Sequence, residues 1–128
     1  MKIDHICLNV RDIEKEKDFY CGFFDFSSNQ KYENTKTGWS NYFLSSPVGG
    51  ARLELLSHAG MPLVKTNRDA TCIVHFSLSL GSKEMVDEKT AQLKASGYKV
   101  LSAPHFTGDA YYESSFLDPE GNMVELTE

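Results

Sequence analysis

The stretch KIDHICLNV at residues 2–10 is answered by CIVHFSLSL at residues 72–80, with Ile3, His5, Leu8 and Val10 matched by Ile73, His75, Leu78 and Leu80 at a constant offset of 70. Further on, YFLSSPVGGARLEL at 42–55 is answered by SSFLDPEGNMVEL at 114–126. Here Phe43 pairs with Phe116, Leu44 with Leu117, Pro47 with Pro119, Glu54 with Glu125 and Leu55 with Leu126, at offsets of 71 to 73. Order, spacing and residue type recur together, so one supersecondary unit is present twice, and such units bury their apolar faces against neighbours. His5 and Glu54 stand 49 positions apart in the first copy, His75 and Glu125 stand 50 apart in the second. Two imidazoles and two carboxylates delivered by matching segments are a donor set for a divalent first-row metal. A lone histidine on a strand is more often a surface or satisfied group than a ligand; the repetition of the pair is what favours ligation.

Composition bounds the rest. A chain of 128 residues suits one domain, organised as module one at 1–58, a connector at 59–70 and module two at 71–128; association with a second copy would add useful burial. Hydrophobic residues at 41% and charged residues at 24% are near the soluble average, and no apolar run approaches the roughly 20 residues of a membrane span. No secretory apolar segment follows Met1, and Cys7, Cys21 and Cys72 are odd in number without a CxxC spacing, so a reduced cytoplasm is the expected setting. A net charge of -5 argues against a nucleic-acid surface, which draws on clustered Lys and Arg.

Periodicity places the motifs. Residues 2–10 alternate, with His5, Cys7 and Asn9 facing one way and Ile6, Leu8 and Val10 the other, as in a half-buried strand. Asp12 is the expected N-cap of a helix over 13–26 whose Ile13, Tyr20, Phe23 and Phe24 cover the greasy strand face. Strands follow at 30–32, 38–44 and 51–56. The second copy repeats the order: a strand at 71–80, a helix from Ser82 with Val86, Thr90 and Leu93 on one side and Gly97 as its stop, then strands at 98–102, 111–117 and 122–127. Each unit reads as strand, helix and three strands, an α+β arrangement. Leucines flank Glu54, Val124 and Leu126 flank Glu125, and Val74 and Phe76 flank His75, so the four candidate ligands oppose the apolar side. His58 and His105 stand in loop-like text. Trp39, Tyr42, Phe43, Tyr111 and Tyr112 read as core and pocket wall.

The segments DHICLNV, RLELL, IVHFSLSL and FLDPEGNMVEL resemble the vicinal-oxygen-chelate superfamily, the glyoxalase/bleomycin-resistance/dioxygenase fold, across essentially the whole chain. The resemblance implies two tandem βαβββ modules forming a curved mixed sheet, a metal held by the end strands of both modules, a small-molecule substrate and a homodimer. It places metal ligands at His5, Glu54, His75 and Glu125, a pattern most similar to glyoxalase I. In that chemistry a cation polarises a substrate oxygen, and a carboxylate carries a proton between adjacent carbons through an enediolate-type intermediate. Glu54 and Glu125 would be the catalytic carboxylates, with nickel, cobalt or zinc as the cation and iron or manganese as further choices.

Glyoxalase I has an Arg four residues past the first His, where this chain has Asn9, and an Asn four residues past the second ligand, where it has His58, so its glutathione-binding residues are not matched. Arg52, Trp39, Tyr112 and Asn9 are the candidate substrate-binding residues, with Arg11, Lys65 and Arg68 as further cations. An extradiol-type ring-cleavage dioxygenase, using His5, His75 and Glu125 as a facial triad, and an antibiotic-resistance binding or thiol-transfer protein are the alternatives within the superfamily.

Overall fold

Each copy of the repeat folds as a unit of its own, Met1–Val64 and Lys65–Glu128, in a computed structural model that describes residues 1–62 and 71–128. Most of the connector expected at 59–70, with Lys65 and Arg68, lies outside the described residues. The described part is a mixed α+β structure with one sheet per unit, the first and last strands of each parallel and the remainder antiparallel. Among the described residues no helix is long and apolar enough to cross a membrane.

In the first unit β1 (His5–Asn9) is shorter than the alternating text but keeps its phase, with His5, Cys7 and Asn9 more exposed than Ile6 and Leu8. The Asp12 carboxylate accepts the Lys15 N–H at 3.0 Å and starts α1 (Ile13–Phe24). The helix stops two residues before the expected end because Asp25 takes the left-handed conformation at φ 56°. Its buried stripe is Ile13, Glu16, Phe19 and Tyr20. That stripe lies on β4 (Trp39–Ser45) and β5 (Arg52–His58), whose Leu44, Leu53 and Leu55 are at most 4% exposed. The strand expected at 30–32 is broken into β2 (Ser27–Ser28) and β3 (Tyr32–Glu33), both antiparallel to β4. Between them the Asn29 side chain accepts the Phe43 N–H at 2.8 Å, a bond the ladder would otherwise make with backbone. His58 closes β5 and so belongs to a strand, not to a loop.

The second unit runs β6 (His75–Ser79), α2 (Lys83–Ala95), β7 (Val100–Phe106), β8 (Tyr112–Leu117) and β9 (Met123–Thr127), in the sheet order β6-β9-β8-β7. Ser82 caps α2 by accepting the Met85 N–H at 3.2 Å, and Gly97 follows the helix at φ 87°. Val86, Thr90 and Leu93 are buried against Phe116, Val124 and Leu126, with Thr90 and Ser114 hydroxyls bonded at 2.6 Å inside the layer. β7 continues past its expected end at 102, through Pro104, with shifts of register at both sides of Ser102. Proline removes a ladder donor, which an edge strand tolerates, and β7 is an edge. His105 is therefore also a strand residue, although exposed as expected. In the 118–122 turn, Asp118 accepts the N–H groups of Glu120 and Asn122 at 3.1 and 2.7 Å.

Strand register corrects the alignment of the two copies. Phe43 lies opposite Glu54 and Ser115 opposite Glu125, so Phe43 corresponds to Ser115 and Leu44 to Phe116. Matching Phe43 to Phe116 is one residue out, and one step along a strand exchanges faces. Phe43 shares the face of Glu54, whereas Phe116 is 1% exposed under α2.

Leu55→Ala and Leu126→Ala, each removing a fully buried side chain, are expected to cost about 2–5 kcal/mol in urea unfolding. The Tyr42 hydroxyl donates to Glu14 on α1 at 3.0 Å, and Glu14 also meets Lys17 and Lys31. The Lys17 bond foremost, with those from Tyr42 and Lys31, holds the Glu14 pKa below its ordinary value. A depressed carboxylate stabilises the fold above its unfolded pKa and loses that contribution as pH falls through the folded one. Glu14→Gln should therefore unfold more easily than wild type at pH about 7, with the gap closing well below about pH 4.

Candidate metal centre

The parallel ladder between β1 and β5 sets His5 beside Arg52 and Cys7 beside Glu54. His5 and Glu54 are thus diagonal neighbours on one face, a separation that long side chains bridge. His5 Nε2 lies 3.5 Å from Glu54 Oε2. The ladder between β6 and β9 repeats the arrangement, His75 beside Met123 and Ser77 beside Glu125, and His75 Nε2 lies 3.1 Å from Glu125 Oε2. In both units this is the face away from the helix, since the intervening Leu53, Leu55, Val124 and Leu126 are the buried ones. Two donors on a cation at about 2.1 Å are about 3.0 Å apart in octahedral and about 3.4 Å in tetrahedral geometry. Each pair therefore has the spacing of adjacent ligands, and imidazole with carboxylate suits a borderline divalent metal. Among the described residues no three His, Cys, Asp or Glu side chains gather closely enough to hold a cation. What is brought together is two pairs, one in each unit.

The surroundings of the two pairs differ. In the first unit Asn41 Nδ2 donates to Glu54 Oε1 at 2.7 Å. Asp4 Oδ2 lies 3.0 Å from His5 Nδ1 and 2.5 Å from Arg52 Nη2, and these contacts lower the Asp4 pKa to about 2. Partial desolvation, with the neighbouring Glu54 carboxylate, pushes the Cys7 thiol up to about 11, which leaves it neutral. In the second unit Val74 and Met123 occupy the positions of Asp4 and Arg52. Register matches Glu113 to Asn41. Burial raises the Glu125 pKa, His75 opposes the rise, and Glu113 adds to it.

Of the candidate substrate residues, Asn9 and Trp39 lie on the ligand face of the first sheet, and Trp39 packs on His58 with ring centroids 5.0 Å apart. His58 is four residues past Glu54, about 13 Å along the strand. Arg52 is on that face too, but its guanidinium is engaged by Asp4 and lies 4.5 Å over the Phe43 ring, so it is not a free cation for an anionic substrate. Tyr112 does not belong to the ligand face. It shares the side of Ser114 and Phe116, and its hydroxyl donates to Asp87 on α2 at 2.7 Å. Arg11 is exposed just past β1. Asp4, Asn41 and Glu113 escape a reading by alternation: Asp4 precedes the first paired residue of β1, and the other two declare themselves only once the antiparallel register is known.

No curated protein matches the chain. Among solved structures, it is similar to a glyoxylase/bleomycin resistance protein/dioxygenase domain from Frankia sp. EAN1pec, at a TM-score of 0.84 and 18% identity, over 99% of this chain and 96% of that one. A glyoxalase family protein from Enterococcus faecalis gives a TM-score of 0.80 at 20% identity, over 99% and 97%. The trypanothione-dependent glyoxalase I of Leishmania major gives 0.79 at 17%, over 100% and 86%. These identities speak for the fold alone. Residues 2–126 match the family model described as Glyoxalase/Bleomycin resistance protein/Dioxygenase superfamily, and with the duplicated βαβββ unit and its repeated His–Glu pair in view, the chain belongs to that superfamily.

Proposed function

We propose that this chain is a metal-dependent lyase or isomerase of glyoxalase type, in which His5, Glu54, His75 and Glu125 serve as one ligand quartet. The supporting observation is the repetition of a His Nε2–Glu Oε2 pair, at 3.5 and 3.1 Å, on the helix-free face of both sheets. The four ligands come either from one chain or from two copies in a homodimer. A bound divalent cation, with nickel, cobalt or zinc best suited to the donors, would supply Lewis acidity to an oxygen of the substrate.

The residues of the chain then divide the work. His5 and His75 hold position. Asn41 fixes one oxygen of Glu54, so Glu54 is the steadier carboxylate. Glu125 faces Ser115 and the acidic Glu113 instead, and is the carboxylate freer to take a proton from one substrate carbon and return it to the next. Trp39 and His58 stack about 13 Å along the strand from Glu54, away from a small substrate held at the carboxylates. With Asn9 in place of an arginine and Arg52 held by Asp4, glutathione is not the favoured thiol; the substrate is a small oxygenated compound such as a hemithioacetal of another thiol.

Titration of metal-free protein with Co2+ or Ni2+ should give one cation per chain. Glu54→Ala and Glu125→Ala should each weaken it by more than the roughly 10–100-fold typical of losing an outer-shell partner. Undiminished binding by the double variant would remove the quartet. In assays with methylglyoxal and a panel of thiols, Glu125→Gln should lose turnover by about 100-fold or more while still binding metal. Tight metal without turnover of any hemithioacetal would exclude the isomerase reading and favour ring cleavage of a catechol by an iron-loaded protein.

A further inference from the structure

The two histidines face different hydrogen-bond environments. His5 Nδ1 is 3.0 Å from Asp4 Oδ2, within the ordinary hydrogen-bond range, whereas its Nε2 is 3.5 Å from Glu54, beyond it. A neutral imidazole has a single proton, and in His5 that proton belongs on Nδ1, leaving the Nε2 lone pair without a proton and available to a cation. Arg52 keeps Asp4 an acceptor, and the Phe43 ring meets the imidazole edge-on at 5.5 Å and 89°, so both the tautomer and the ring plane are constrained. His75 lacks these supports. Its Nε2 is 3.1 Å from Glu125, Val74 stands where Asp4 would be, and Ser115 stands where Phe43 would be.

We infer that Asp4, held by Arg52, is a positioning residue that presets His5 as a ligand, a support that His75 in the second unit lacks. This rests on His5 being a metal ligand, as proposed above. An orienting carboxylate on the far nitrogen is a recurrent device at metal-bound histidines, and its loss typically costs 10–100-fold in affinity. The chain carries that device on one of its two copies.

The imidazole 15N spectra of metal-free protein at about pH 8.5, where an ordinary histidine is neutral, decide the matter. His5 should be protonated on Nδ1. Asp4→Ala should move His5 toward the Nε2–H form and leave His75 unchanged, while Asp4→Asn, which keeps an oxygen acceptor, should retain the Nδ1–H form. Co2+ affinity should fall about 10–100-fold in Asp4→Ala and less in Asp4→Asn. A His5 tautomer that does not respond to Asp4→Ala overturns the inference whatever the cobalt result. If wild type binds no Co2+, the metal reading fails, and the spectra still decide whether Asp4 sets the ring.

Discussion

Parallel pairing of the first and last strand in each unit fixes both the core and the candidate site. Because partners in a ladder share a face, the registers Cys7 to Glu54 and Ser77 to Glu125 place each glutamate one diagonal step from its histidine, on the side the helix does not cover. A shift of one residue in either ladder would turn the glutamate into the apolar layer and a leucine or valine out to face the imidazole. The core enforces the register: Leu53, Leu55, Val124 and Leu126 have no other buried place. Packing and chemistry are therefore set by the same alternation.

Much of this is legible in the amino-acid sequence, because the duplicated text carries both the alternation and the pair. The helices declare themselves by their caps, Asp12 and Ser82, and by the stripes beneath them. Other features depend on partners distant in sequence. The slip that matches Phe43 to Phe116 arises because two copies of a small loop differ in length, and local similarity cannot say on which strand the difference falls. The extension of β7 through Pro104 follows from its place at a sheet edge. Tyr112 is a pocket residue by type, yet its phase in β8 and its bond to Asp87 assign it to the helix side. Asp4 is hidden because a strict alternation would turn it from its neighbour His5, but the ladder begins only at His5.

The differences between the two pairs are as informative as the likeness. The first pair has supports: Asp4 and Arg52 behind the histidine, Asn41 on the glutamate, Phe43 beside the ring. The second has apolar residues behind its histidine and an acid near its glutamate. A fixed half and a yielding half suit a centre where one carboxylate stays in place while the other exchanges a proton.

X-ray absorption of nickel- or zinc-loaded protein counts the imidazoles around the cation. Two histidine ligands with oxygen donors completing the shell are expected, falling to one in either His5→Ala or His75→Ala; a shell with no imidazole, or one unchanged by both substitutions, would rule out the shared quartet.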